Sequence, residues 1–181
     1  MSDDAKYQPG PADLAKVHKD GETWTLVLVK DLHHPPEKVW RAITEPAHLR
    51  EWAPFDASGD LGTVGTVEIA WIGAPKPVEA RVTRADAPKV LEYQSGPQTM
   101  RWELESRDAG TRLTLWAVID RPYISMGAAG WHIAFDALQG LLDGAPIGRL
   151  AGPAAMHFEG WQRLNAEYAR QFGIELPKWG N

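Results

Sequence analysis

The chain has no cysteine in 181 residues. That single absence removes disulfides, thiolate nucleophiles, iron–sulfur clusters and cysteine-ligated zinc, and leaves His, Asp and Glu as the plausible metal ligands. Positive charge is also in short supply, with 19 Lys and Arg against 24 Asp and Glu and a formal net charge of -5. Neutralising phosphates needs clustered Lys and Arg, and no such cluster occurs, so a nucleic-acid partner is not expected. No run of about 18 apolar residues exists to span a bilayer. The opening MSDDAKYQPG lacks the basic-then-apolar order of a signal peptide. A cytoplasmic protein with no membrane span is expected. Nucleophile elbow, phosphate loop, Gly-x-Gly-x-x-Gly run and zinc-protease helix are all missing, and no cofactor is implied.

What the chain has in excess is tryptophan, nine residues against four Tyr and four Phe. Its charged content of 24% and hydrophobic content of 44% are ordinary globular values. A length of this kind suits one domain, which buries about 70% of the surface its unfolded chain exposes.

Residues 1–21 carry Pro9, Gly10 and Pro11 among scattered charges and read as a loose arm or short helix. From Glu22 to Leu32, Trp24, Leu26 and Leu28 share one period-2 face of a first strand. Pro35-Pro36 ends it, and Pro36 suits a helix first turn. Val39, Trp40 and Ile43 make a helical stripe until Pro46 starts a second short helix with Leu49 and Trp52. Strand patterns follow at Thr66–Ile72, Pro77–Ala85, Val90–Ser95, Gln98–Arg107 and Arg112–Ile119. The turn Asp108-Ala109-Gly110 joins the last two, with Met100, Trp102 and Leu104 facing inward beside Leu113, Leu115 and Ala117. Arg81 and Glu103 fall on the other face as surface charges.

After that the period changes. Trp131, Phe135, Leu138 and Leu142 lie within about 60° of one another at 100° per residue, which predicts a helix ending near Gly144. A second helical pattern runs from about Pro153 to Phe172, with Gly173 as its stop, and LPKWGN, including Trp179, reads as a tail. About six antiparallel strands and a long C-terminal helix make an α+β fold, a curved sheet wrapped around that helix.

Two segments carry a family resemblance. PPEKVWRAITEPAHLREWAP at Pro35–Pro54 resembles the opening signature, and AAGWHIAFDALQGLLDG at Ala128–Gly144 the closing helix, of the START-like (SRPBCC) helix-grip superfamily. The branch is that of the activator of heat-shock protein 90 ATPase homologues. The resemblance implies a helix-grip domain over residues 22–144, preceded by an arm at 1–21. It leaves residues 145–181 as a helical extension packed on the same domain, beyond the point where such chains usually stop. It also implies a hydrophobic ligand in the gap between sheet and helix, or contact with a chaperone. The additional N-terminal domain of full-length chaperone activators has no counterpart in residues 1–21.

Candidate chemistry is sparse. His33 and His34 are adjacent at a strand end, point to opposite faces and do not make a metal site. His132 and Asp136, four apart, share a polar arc with Gln139 and Asp143 and read as a solvated helix face. Asn165 falls inside the stripe of Phe158, Trp161 and Phe172 and His157 lies at its edge, so each either bonds to protein or touches a ligand. Trp71, Trp102 and Trp131 point between sheet and helix, with Tyr93, Met100, Leu115 and Phe135 beside them. They either line a cavity or fill the core. Non-catalytic binding of a small hydrophobic or aromatic molecule is the leading expectation, and a chaperone-interaction module the alternative. A cyclase or aromatase-like enzyme would need His157, Tyr93 or Tyr123 as acid or base in the cavity. No catalytic residue is assigned.

Overall fold

Apolar side chains recur at every second position of the strands, and that alternation has produced a single curled sheet in the computed structural model, which describes residues 7–176. Trp179 lies outside the described residues. The elements run β1 (Ala15–Asp20), β2 (Thr23–Leu32), α1 (Pro36–Thr44), α2 (Pro46–Trp52), β3 (Phe55–Ala57) and β4 (Gly65–Trp71). They continue with β5 (Val78–Asp86), β6 (Val90–Ser95), β7 (Gln98–Arg107), β8 (Gly110–Val118), α3 (Ile124–Leu142), α4 (Gly152–Met156) and α5 (Glu159–Phe172). All sheet neighbours are antiparallel, in the order β1-β2-β8-β7-β6-β5-β4-β3. The architecture is α+β, a helix-grip fold.

The sheet has eight strands rather than about six. One addition is β1, inside the stretch expected to be a loose arm. Its sequence AKVHKD has little apolar alternation because it is an edge strand, held to β2 by backbone pairing from Ala15↔Leu28 to Asp20↔Thr23. The other is β3, three residues long and too short to show a period. The last helical pattern is likewise broken in two, at His157-Phe158 between α4 and α5.

The concave face is set by register. Leu26, Leu28 and Leu32 of β2 stand opposite Ala117, Leu115 and Thr111 of β8, and Trp102 and Leu104 of β7 opposite Leu115 and Leu113. Helix α3 lies in this concavity and begins seven residues earlier than Trp131, because Ile124 to Gly130 is rich in small residues that show no stripe. Twelve of its 19 residues are buried, His132 among them. A helix apolar round most of its circumference needs cover on several sides, and α5 supplies it by packing along α3.

The β7–β8 hairpin closes at Asp108-Ala109, with Arg107 paired to Gly110. Asp108 takes φ 42, a left-handed conformation that Asp tolerates better than most residues. At Gly110 an added Cβ would stand 2.1 Å from the Leu32 carbonyl oxygen, so the end of β2 and the turn can meet only at glycine. Gly110→Ala is therefore expected to destabilise the fold by about 1–3 kcal/mol through backbone displacement. Chemical denaturation would read this as a lowered midpoint with an unchanged slope.

Candidate functional site

A cavity of about 600 Å³ lies between the first half of α3 and the β4–β7–β8 side of the sheet. Its origin is a shortage of side-chain volume. Gly127 and Gly130, three apart on α3, face it, and a Cβ on Gly130 would meet nothing within 4 Å. Ala117 of β8 and Ala155 of α4 continue the small surface. Around that gap stand large apolar groups, notably Trp71, Met100, Trp131, Met126, Met156 and Trp161. The rim carries Gln98 and Tyr123, the latter 61% exposed.

Of the residues expected to form the site, Trp71, Met100, Trp131 and Tyr123 line this space. Tyr93, Trp102, Leu115 and Phe135 do not. They fill the adjacent core, where the Trp102 indole N–H donates to the Tyr93 hydroxyl at 3.1 Å and the Trp102 and Phe135 rings stack at 6.0 Å. With its polar edge satisfied by a neighbour, Trp102 packs as an ordinary core residue. Burial holds the Tyr93 hydroxyl far above its usual pKa, so it stays protonated. Trp131 marks the boundary, edge-on to both Trp71 and Trp102. His157 is exposed at the end of α4, and Asn165 accepts a hydrogen bond from buried Ser125 at 2.8 Å, so neither touches the cavity.

Sequence reasoning missed the cavity residues from beyond Gly144, namely Ala151, Gly152, Pro153, Ala155, Met156 and Trp161. Two glycines seat that segment against the sheet. A Cβ on Gly152 would come 2.7 Å from the Ile72 carbonyl oxygen and one on Gly73 would come 2.6 Å from Pro153 Cδ, and both have positive φ. The signal was visible only as Trp161 on the final stripe. Arg149 fixes the approach to this segment through Nη2, which donates to the Leu49 carbonyl at 3.1 Å and to Asp56 at 2.6 Å.

The polar arc of α3 is a correction. His132 is 2% exposed rather than solvated, because the N-terminal segment and α5 cover it. Its Nδ1 lies 2.7 Å from the Tyr168 hydroxyl, which accepts the Leu14 N–H at 3.2 Å. The arrangement that satisfies every group has Tyr168 donating to Nδ1, which leaves the histidine proton on Nε2, facing Asp136 at 3.7 Å. Asp136 also accepts from Tyr7 Oη and pairs with Lys30 at 2.9 Å. Burial pushes the Tyr168 hydroxyl up to about 12 and, with the Asp136 carboxylate, raises that of Tyr7. His34 bonds Asp143 at 2.6 Å while His33 is exposed. Among the described residues no group of three or more metal-ligating side chains comes together, and no helix is long and apolar enough to cross a membrane.

Burial lowers the pKa of His132 below its ordinary 6.5, with Asp136 opposing the shift. The unfolded chain then binds the proton first on acidification. Stability attached to this group is complete above about pH 6.5 and declines as pH falls from there to the folded value. Urea unfolding across that range should show the decline in the native chain and a flatter profile in His132→Gln. An unchanged profile in the variant would contradict the assignment.

Comparison with solved structures finds the same fold at low identity. A conserved protein of unknown function from Enterococcus faecalis superposes with TM-score 0.68 at 18% identity, covering 89% of this chain and 92% of its own. CalU16 from Micromonospora echinospora gives 0.63 at 21%, covering 86% and 92%. A protein from Staphylococcus saprophyticus gives 0.57 at 17%, covering 67% and 94%. No curated protein matches the sequence. The family described as Activator of Hsp90 ATPase homolog 1-like protein matches residues 33–143, well over half of the chain, and the protein belongs to that family.

Proposed function

We propose that the protein is a non-catalytic, cytoplasmic binder of a small hydrophobic or aromatic molecule, held in the cavity between α3 and the sheet. Residues 22–144 are the binding domain, and the extension from residue 145 closes it. The observation that carries this reading is the cavity itself: about 600 Å³, within the range of small-molecule sites, with a predominantly apolar lining. The chemistry of the lining favours binding over catalysis. Tyr123, on the exposed rim, is the one ionisable side chain among the described lining residues, and they supply no acid/base pair.

The family name favours a second reading, modulation of a chaperone ATPase. A chaperone contact would use the outer surface and would be indifferent to the cavity, so filling the cavity separates the two readings. Gly130→Leu places a side chain into open space on a helix that gains from losing a glycine. It is expected to raise stability by about 0.5–1 kcal/mol and to abolish saturable binding of N-phenyl-1-naphthylamine, followed by probe fluorescence. Equal binding by the variant, or no saturable binding by the native chain, would overturn the proposal. Recovery of the chaperone by both proteins in a pull-down would support the second reading.

A further inference from the structure

The cavity has an outer wall that the family match does not include. The match ends at residue 143, yet the lining continues with Ala151 to Pro153, Ala155, Met156 and Trp161. The Gly73–Pro153 and Gly152–Ile72 contacts weld this wall to the β4 end. The wall is thus a built part of the cavity and not a segment resting over it.

Two features of the lining define what it accepts. The first is charge. Among the described residues no Lys, Arg, His, Asp or Glu lines the space, so an ionised guest would leave water without a counter-charge, which costs several kcal/mol. The second is a pair of buried donors without a protein partner. Trp52 and Trp102 give their indole N–H groups to the Ala42 carbonyl and the Tyr93 hydroxyl. Trp131 and Trp161, 5% and 7% exposed, have no protein acceptor among the described residues, and neither has Trp71, which is only half-buried in the same lining. Neither N–H is sealed in, because the one buried side-chain nitrogen or oxygen without a partner there is Arg149 Nε. Both therefore reach accessible space, and both residues line the cavity. One of these donors comes from the family domain and the other from the extension.

Resting on the binding reading above, we infer that the cavity selects uncharged aromatic guests carrying a hydrogen-bond-accepting oxygen, received by the indole N–H groups of Trp131 and Trp161. The extension, through Trp161, is then a specificity-determining wall. An apolar ring alone would be bound by area, without using either donor.

Three probes of one skeleton test this: naphthalene, 2-acetylnaphthalene and 2-naphthoate, each titrated as a competitor of N-phenyl-1-naphthylamine. The native chain is expected to bind 2-acetylnaphthalene about fivefold more tightly than naphthalene, the worth of one net hydrogen bond. It should bind 2-naphthoate at least about tenfold more weakly than the ketone. In the double variant Trp131→Phe/Trp161→Phe both rings remain and both donors are lost. Its naphthalene affinity should stay within about twofold of native, which also reports that the cavity has folded, while the preference for the ketone disappears. Retained preference in the double variant, or native binding of naphthoate as tight as that of the ketone, overturns the inference and leaves the binding reading intact. Failure of all three probes to compete with the native chain removes the binding reading, and the inference with it. A double variant that loses naphthalene as well is replaced by Trp161→Phe alone, which must at least halve the ketone preference for the inference to stand.

Discussion

Helix α3 is apolar round most of its circumference, and the need to bury it on more than one side organises the rest of the chain. One side enters the concave face of the sheet, where Trp102 packs on Trp131 and Phe135 and Leu26 comes close to Gly127. Another receives α5, whose Trp161, Leu164 and Tyr168 are buried. Neither cover alone would suffice, since a helix with twelve buried residues in 19 offers no face fit for water along most of its length. The exception is Gly130, where the missing side chain leaves open space in the cavity lining.

Covering the second side of α3 creates a polar problem, and the N-terminal segment resolves it. With α5 as the only cover, His132 would keep Tyr168 as its partner, but Asp136 would be half-buried without Tyr7 and Lys30. Tyr7 bonds Asp136, Lys30 pairs with it, and Tyr168 bridges His132 to the Leu14 backbone. The α5 side chains Arg163 and Gln171 then hold the same segment by its carbonyls, at Gly10 (3.1 Å) and Ala12 (2.6 Å). Gly160 lets Pro9 approach, since a Cβ there would come 2.7 Å from its ring. The segment around Pro9 to Leu14 and helix α5 are thus fastened to each other over α3. The same fastening holds the segment that walls the cavity.

Legibility in the sequence followed range. Residues Pro35–Pro54 and Trp131–Leu142 carry their helical stripes locally, and the β7–β8 hairpin carries its turn and matched alternation, so these were readable. Edge strand β1 was not, because its stability comes from backbone pairing with β2 rather than from an apolar face. The burial of His132 was invisible for a related reason: its cover comes from Tyr168 and from the N-terminal segment, both remote in sequence. The aromatic residues pointed to the right region without dividing core from cavity. That division depends on which ring meets a partner, as Trp102 meets Tyr93, and which meets empty space beside a glycine, as Trp131 does.

The central claim is that the space beside Gly130, walled by the extension, is where a ligand sits. Indole N–H resonances in a ¹H–¹⁵N correlation spectrum, recorded during addition of naphthalene, test it most directly. The account predicts saturable shifts for Trp71, Trp131 and Trp161, with Trp40, Trp52 and the outer-face Trp116 unmoved. Shifts centred on Trp24 or Trp116, or no shift at the three cavity indoles, would contradict it.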